Sequence, residues 1–234
     1  MVTSITIARR FNGPPDAGNG GYVAGLIACS IGQNLNVRLR QMLPVGVELA
    51  LEQRGPESWE LMNGLETLAS ATVSAPVAEA PEAPSYLDAL AASRRYVNLT
   101  GETFPTCFVC GAGRERGDGL RIFAGPLDDS DMVAAPWMPD GSVVDETNKV
   151  RPEFVWAALD CPGYFAALPP HHPALLGEFS VHIDRRVHLD EPCVVVGWRI
   201  RHSGRKYVAG TALYDEDGER CALGVATWIS LKKD

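Results

Sequence analysis

Three groups of residues in this sequence have the types and spacing to do chemistry. The first is Asp160, a carboxylate inside Val150 to Leu168, the longest run with helical apolar spacing. Phe154, Val155, Ala158 and Leu159 would share one face of that helix. A charge among buried neighbours costs on the order of several kcal/mol unless it is paired, hydrated or used. The second group is Asn19-Gly20-Gly21, which leads into the wholly apolar YVAGLIACSIG. Asn suits the N-cap of that helix, and paired glycines let its backbone approach a ligand or another helix. The third is Cys107-Phe108-Val109-Cys110-Gly111, half of a zinc site. Zinc wants four ligands, and no second CxxC or close His pair follows at finger-like distance. Cys161, or His171 and His172, would have to complete the set in space. Two cysteines in a Gly-rich turn is the default reading, so no metal is expected.

Plainer readings stand beside these. Asp160 is also well placed to cap a new helical turn near Pro162, and Gly20-Gly21 also suits tight helix–sheet packing. Asn19 reads first as a cap, and Glu153, in the first turn of the second helix, as a partner for the helix dipole.

The elements that would position these groups occur twice. Residues 3–10 alternate like a strand, the apolar helix follows, and then come four β-like segments, LNVRLRQML, VGVELALEQRG, SWELMNG and LETLASATVSA. Residues 77–105 begin Ala/Pro/Glu-rich and carry one short amphipathic helix near 84–94, which makes them a linker between halves 1–76 and 106–234. The second half opens with GLRIFAGP and MVAAPWMP as strands. The helix from about 151 follows, then four alternating runs with hairpin signals at Ser203-Gly204 and Asp217-Gly218.

Bulk properties narrow the function. Hydrophobic residues make up 46% and charged residues 21%, enough apolar content for a real core. A net charge of −8 argues against nucleic acid or an anionic membrane as the main partner. MVTSITIARRFNG lacks an apolar signal region and no apolar run approaches membrane-span length, so a cytoplasmic protein with reduced cysteines is expected.

The closing stretch SGRKYVAGTALYDEDGERCALGVATWISL, with its GR, its D-x-x-G-x-x-x-A and its W, resembles the last hairpin pair of hotdog-fold acyl-CoA thioesterases. The phenylacetyl-CoA-type branch of that family carries His-Gly-Gly at the start of its central helix, and an Asp eight residues after the second Gly. Asn19-Gly20-Gly21 matches the first part with Asn for His, but the eighth residue after Gly21 is Cys29. Ala158-Leu159-Asp160 matches the carboxylate end, preceded by Val150-Arg151-Pro152. The resemblance therefore implies an α+β double hotdog, two curved antiparallel sheets each wrapped around a central helix. It also implies one composite active site, with the Gly21 amide from one half and Asp160 from the other.

On that reading Asp160, Gly21 and Asn19 are catalytic, with Gly21 N–H as the oxyanion donor and Asp160 as base or nucleophile. Gly20, Tyr22, Glu153, Trp156, Arg185 and Arg186 line the substrate, the two arginines near the nucleotide of coenzyme A. The implied activity is hydrolysis of an acyl-CoA or acyl-carrier-protein thioester, with no cofactor beyond the coenzyme A of the substrate. Two chains would pair through their outer sheet faces. The rival functions are a non-catalytic acyl-ligand-binding hotdog and a hotdog hydratase or dehydratase.

Overall fold

The computed structural model describes residues 2–98 and 104–231. The first half runs β1 (Val2–Thr6), α1 (Gly20–Ile31), β2 (Leu35–Leu39), β3 (Glu48–Gly55), β4 (Ser58–Asn63) and β5 (Glu66–Val73). A connecting helix α2 (Tyr86–Ser93) follows. The second half runs β6 (Gly125–Pro126), β7 (Val133–Trp137), α3 (Pro152–Ala158), α4 (Asp160–Ala167), β8 (Ala174–Ile183), β9 (Cys193–Ser203), β10 (Lys206–Tyr214) and β11 (Arg220–Ser230). The hairpin glycines Gly64, Gly204 and Gly218 all take positive φ, which other residues rarely adopt.

The sequence implied two sheets. Among the described residues the eleven strands instead form one, in the order β1-β3-β4-β5-β2-β8-β11-β10-β9-β7-β6. The seam is antiparallel pairing of β2 with β8 through Asn36–Ser180, Val37–Phe179 and Arg38–Glu178. Arg38 and Glu178 also close an ion pair across it. Kept apart, these strands would each present a row of unpaired backbone groups; joining satisfies them.

Strand alternation divides the side chains between two cores. Val133, Ala135, Val195 and Leu213 pack in the larger one with residues of α1, α3 and α4. Their neighbours Ala134, Val194, Val196 and Ala212 pack with Ala89 and Ala92 of α2. Burial on both faces explains the unbroken run Val194-Val195-Val196 in β9. The connecting segment is therefore packed down: Ala80, Ala83 and Tyr86 join this second cluster, and Tyr214 Oη donates to Pro81 O. On this half the chain's own α2 covers the face through which a second copy was expected to pair. Residues 99–103 of the expected linker lie outside the described residues.

One expected strand differs. Of GLRIFAGP only Gly125–Pro126 pairs with β7. The preceding residues fold back on the cysteine loop instead, with Leu120 N–H donating to Phe108 O and Ile122 N–H to Val109 O. No helix among the described residues is long and apolar enough to cross a membrane.

Candidate active site

The expected long helix is two helices because Pro162 cannot donate an N–H to the carbonyl of Ala158. Leu159 sits at the break with φ −85° and ψ −3°, and Asp160 becomes the first residue of α4. Pro162 O packs over Gly197 of β9, where an added Cβ would come within 2.5 Å of it.

Two glycines one helical turn apart then bring α1 onto this region. A Cβ on Gly25 would stand 2.7 Å from Glu153 Cα, and one on Gly21 would stand 2.6 Å from Asp160 Cβ and 2.8 Å from Trp156 O. Only residues without a Cβ allow the approach.

The approach places Asp160 at the start of α1. Its Oδ2 accepts from Asn19 Nδ2 at 2.7 Å and from Gly21 N at 3.0 Å. Asn19 also caps α1, its Oδ1 accepting from Tyr22 N at 2.9 Å. One amide side chain thus fastens its own helix and the carboxylate of the other half. The second carboxylate oxygen, Oδ1, is buried without a hydrogen-bond partner among the described residues. Asp160 is 2% exposed. Burial pushes its carboxyl up to about 7; negative charge on Cys107 adds to this, and the hydrogen bonds from Gly21 and Asn19 oppose it.

Asp160, Asn19 and Gly20 line a cavity of about 400 Å³ whose other walls are largely apolar, including Leu39, Leu43, Phe165, Leu176 and Trp228. Trp228 Nε1 is buried and without a partner among the described residues. Tyr164 also lines the cavity and packs edge-on against Trp228, ring centroids 5.4 Å apart.

The other sequence candidates sit outside this wall. Tyr22 lies in an aromatic cluster with Phe11, Phe108 and Phe154. Trp156 packs edge-on against Phe179 at 5.5 Å. Glu153, in the first turn of α3, is buried against Gly25 of α1, paired with Arg151 at 3.4 Å and accepting from Cys29 Sγ at 3.7 Å. Arg185 is tied to Glu191 and Asp215, and Arg186 to Asp145 and to the carbonyls of Lys149 and Val150. The guanidinium groups of both arginines are thus held by partners away from the cavity. Gly21 itself presents its N–H to Asp160 rather than to the cavity.

The sequence marked Trp228 only as the W that closes the hairpin-pair resemblance and gave it no role in the site. It also left Cys107 and Cys110 as a turn. Both line the cavity together with Cys161. Hydrogen bonds from the thiols of Cys110 and Cys161 hold the Cys107 thiol well below its usual range.

No protein-family model matches the sequence, and no curated protein matches it. Solved structures share its fold. Acyl-CoA thioesterase II TesB2 from Mycobacterium marinum superposes with a TM-score of 0.63 at 10% identity, covering 100% of this chain and 94% of that one. The tesB protein of Mycobacterium avium subs paratuberculosis gives 0.61 at 13% identity over 91% and 87%. A putative oleoyl thioesterase from Lactobacillus plantarum gives 0.58 at 10% identity over 99% and 96%. The chain shares the fold of these thioesterases over nearly its whole length, which agrees with the hotdog resemblance though not with its two separate sheets.

Proposed function

We propose that the protein hydrolyses the thioester of an acyl-CoA or acyl-carrier protein at a single composite site, in a double-hotdog arrangement. The observation that carries this is Asp160. A buried carboxylate in the wall of an apolar cavity is held through one oxygen by Asn19 and Gly21 of the other half. A carboxyl raised to about 7 is matched to proton transfer near neutrality. The shared fold with proteins named as thioesterases supports the same reading.

In this reading Asp160 takes a proton from water as the water oxygen attacks the thioester carbon. The carbon–sulfur bond then breaks, and the proton passes to the leaving thiolate, giving a carboxylic acid and a free thiol. Gly21 N–H orients the base instead of binding the oxyanion, because one N–H cannot serve both acceptors fully. The unpartnered indole N–H of Trp228 is the candidate donor to the substrate carbonyl. The apolar lining suits a hydrocarbon acyl group.

The test is free-thiol release from short, medium, long and aromatic acyl-CoAs, wild type beside Asp160→Asn. Loss of a general base costs about 10²–10⁴-fold in rate, and a variant as active as wild type sinks the reading. Thermal stabilisation by acyl-CoA without thiol release would instead mark a binding protein.

A further inference from the structure

Three thiols that thioester hydrolysis does not use converge in the cavity wall. Cys107 and Cys110 lie in the loop before β6, and Cys161 follows Asp160 in the first turn of α4. All three are buried, and their Sγ atoms lie within 4.8 Å of one another. Cys107 Sγ and Cys161 Sγ are 3.8 Å apart. Two thiolates on a tetrahedral zinc ion with Zn–S near 2.3 Å stand about 3.8 Å apart, whereas disulfide sulfurs stand about 2.05 Å apart. The two sulfurs share a hydrogen bond at this spacing, and two ligands on one ion would fit it without moving.

The loop is built to hold the thiols there. Gly111 N–H donates to Cys107 O at 2.9 Å. An added Cβ at Gly111 would come 2.5 Å from Cys107 O and Pro105 O, so the turn requires glycine. Phe108 N–H donates to Asn12 O at 2.7 Å. The buried Arg114 ties the loop to Arg10 O at 2.6 Å and to Thr106 O at 2.7 Å. The other cluster of potential ligands, Glu191, Asp215 and Cys221, is different in kind, because Arg185 already pairs its carboxylates. His171 lines the cavity outside the cysteine cluster, and His172 bonds Ser230 Oγ at 2.7 Å.

We propose that Cys107, Cys110 and Cys161 bind one zinc-type divalent ion as thiolates, with the fourth coordination position filled from the cavity. The expectation of no metal rested on spacing along the chain; Cys161, remote in sequence, supplies the third ligand. All three residues line the cavity, and among the described residues no fourth ligating atom joins the cluster. Three protein ligands with one exchangeable position is a recurrent zinc arrangement. A divalent charge also compensates thiolates crowded in a buried site. The ion would clip the cysteine loop to the turn that begins with Asp160, so it positions the carboxylate. It does not depend on what Asp160 does.

Metal content is measured on protein made with zinc and kept reduced, then on Co²⁺-loaded protein by absorption. We expect one zinc per chain and the thiolate-to-cobalt and d–d bands of tetrahedral Co²⁺ with sulfur ligands. Cys107→Ser and Cys161→Ser should lose both, and the exposed Cys29→Ser should keep both. Serine variants that bind metal as wild type does would overturn the proposal. So would a sulfur–sulfur bond among the three thiols in protein never exposed to oxidant. If the serine variants do not fold, the wild type decides alone. A chelator must then release stoichiometric zinc and lower Tm, with zinc restoring it; no release overturns the site. None of these readings uses turnover, so the metal site and the thioesterase reading fail separately.

Discussion

Asp160 Oδ2 and Gly21 N stand 3.0 Å apart although the residues are 139 positions apart in the chain. The contact exists because position 21 has no side chain. Gly21→Ala would set a methyl 2.6 Å from Asp160 Cβ and 2.8 Å from a backbone carbonyl, neither of which is a flexible side-chain end. Overpacking of this kind costs about 1–3 kcal/mol, and each kcal/mol lowers Tm by about 2–4 °C in a chain of this size. Calorimetry should show that fall, and thiol release should drop further because the carboxylate is displaced. Gly141, with open space around it, is the control: its Ala variant should stay within about 0.5 kcal/mol of wild type. A Gly21→Ala protein with unchanged Tm would contradict the packing described.

Asn19 performs two separable tasks, capping α1 through Oδ1 and holding Asp160 through Nδ2. Asn19→Ala loses both, and the cap alone contributes about 1 kcal/mol. Asn19→Ser keeps a capping oxygen but not the amide donor. Urea midpoints should therefore order wild type and Ser close together with Ala below them. Turnover should be depressed in both variants. Full activity in Asn19→Ser would remove Nδ2 from the machinery.

Much of this architecture was written in local pattern. β2 to β5 and β8 to β11 follow alternation and glycine turns, and both central helices follow apolar spacing. The seam between β2 and β8 was not legible, because three paired residues in two otherwise ordinary strands leave no periodic trace. GLRIFAGP reads as a strand by composition, yet Leu120 and Ile122 find partners in the cysteine loop. At the site, Asp160 stood out as a charge in an apolar run. Arg185 and Arg186 looked available only because their carboxylate partners, up to 41 residues away in sequence, come close through folding. Cys161 was one of the residues that could complete the Cys107–Cys110 pair in space, but at 54 positions from Cys107 nothing in the sequence chose it over His171 and His172.

Leu176 lines the cavity and is 8% exposed. It packs so closely on α1 that a Cβ on Gly20 would lie 2.8 Å from its Cδ2. Leu176→Phe adds bulk that the helix side has no room for, so the ring must occupy the cavity. Under the proposed activity, KM for the longest accepted acyl-CoA should rise several-fold while the shortest is little affected, since each excluded methylene costs about 0.8 kcal/mol of burial. A uniform change across chain lengths would place the acyl group elsewhere.

Arg185 donates to Glu191 Oε1 and Asp215 Oδ2, each at 2.5 Å. Burial works against ionisation of both carboxyls. The guanidinium outweighs it, helped by the backbone N–H of His188 at Glu191 and those of Glu219 and Asp217 at Asp215. Both groups are held below the ordinary carboxylate range. The folded state therefore binds fewer protons than the unfolded chain, whose carboxyls titrate near pH 4. The resulting stability is fully present above that pH and is lost as pH falls through the lower folded values. Arg185 is 40% exposed, so solvent screening keeps the contribution near the ~1 kcal/mol ceiling of surface pairs. In urea melts Arg185→Met should be less stable than wild type at pH 7, and the gap should close below about pH 4 as the carboxyls protonate. A gap that persists undiminished in acid would mean that the arginine acts through packing of its stem rather than through its charge.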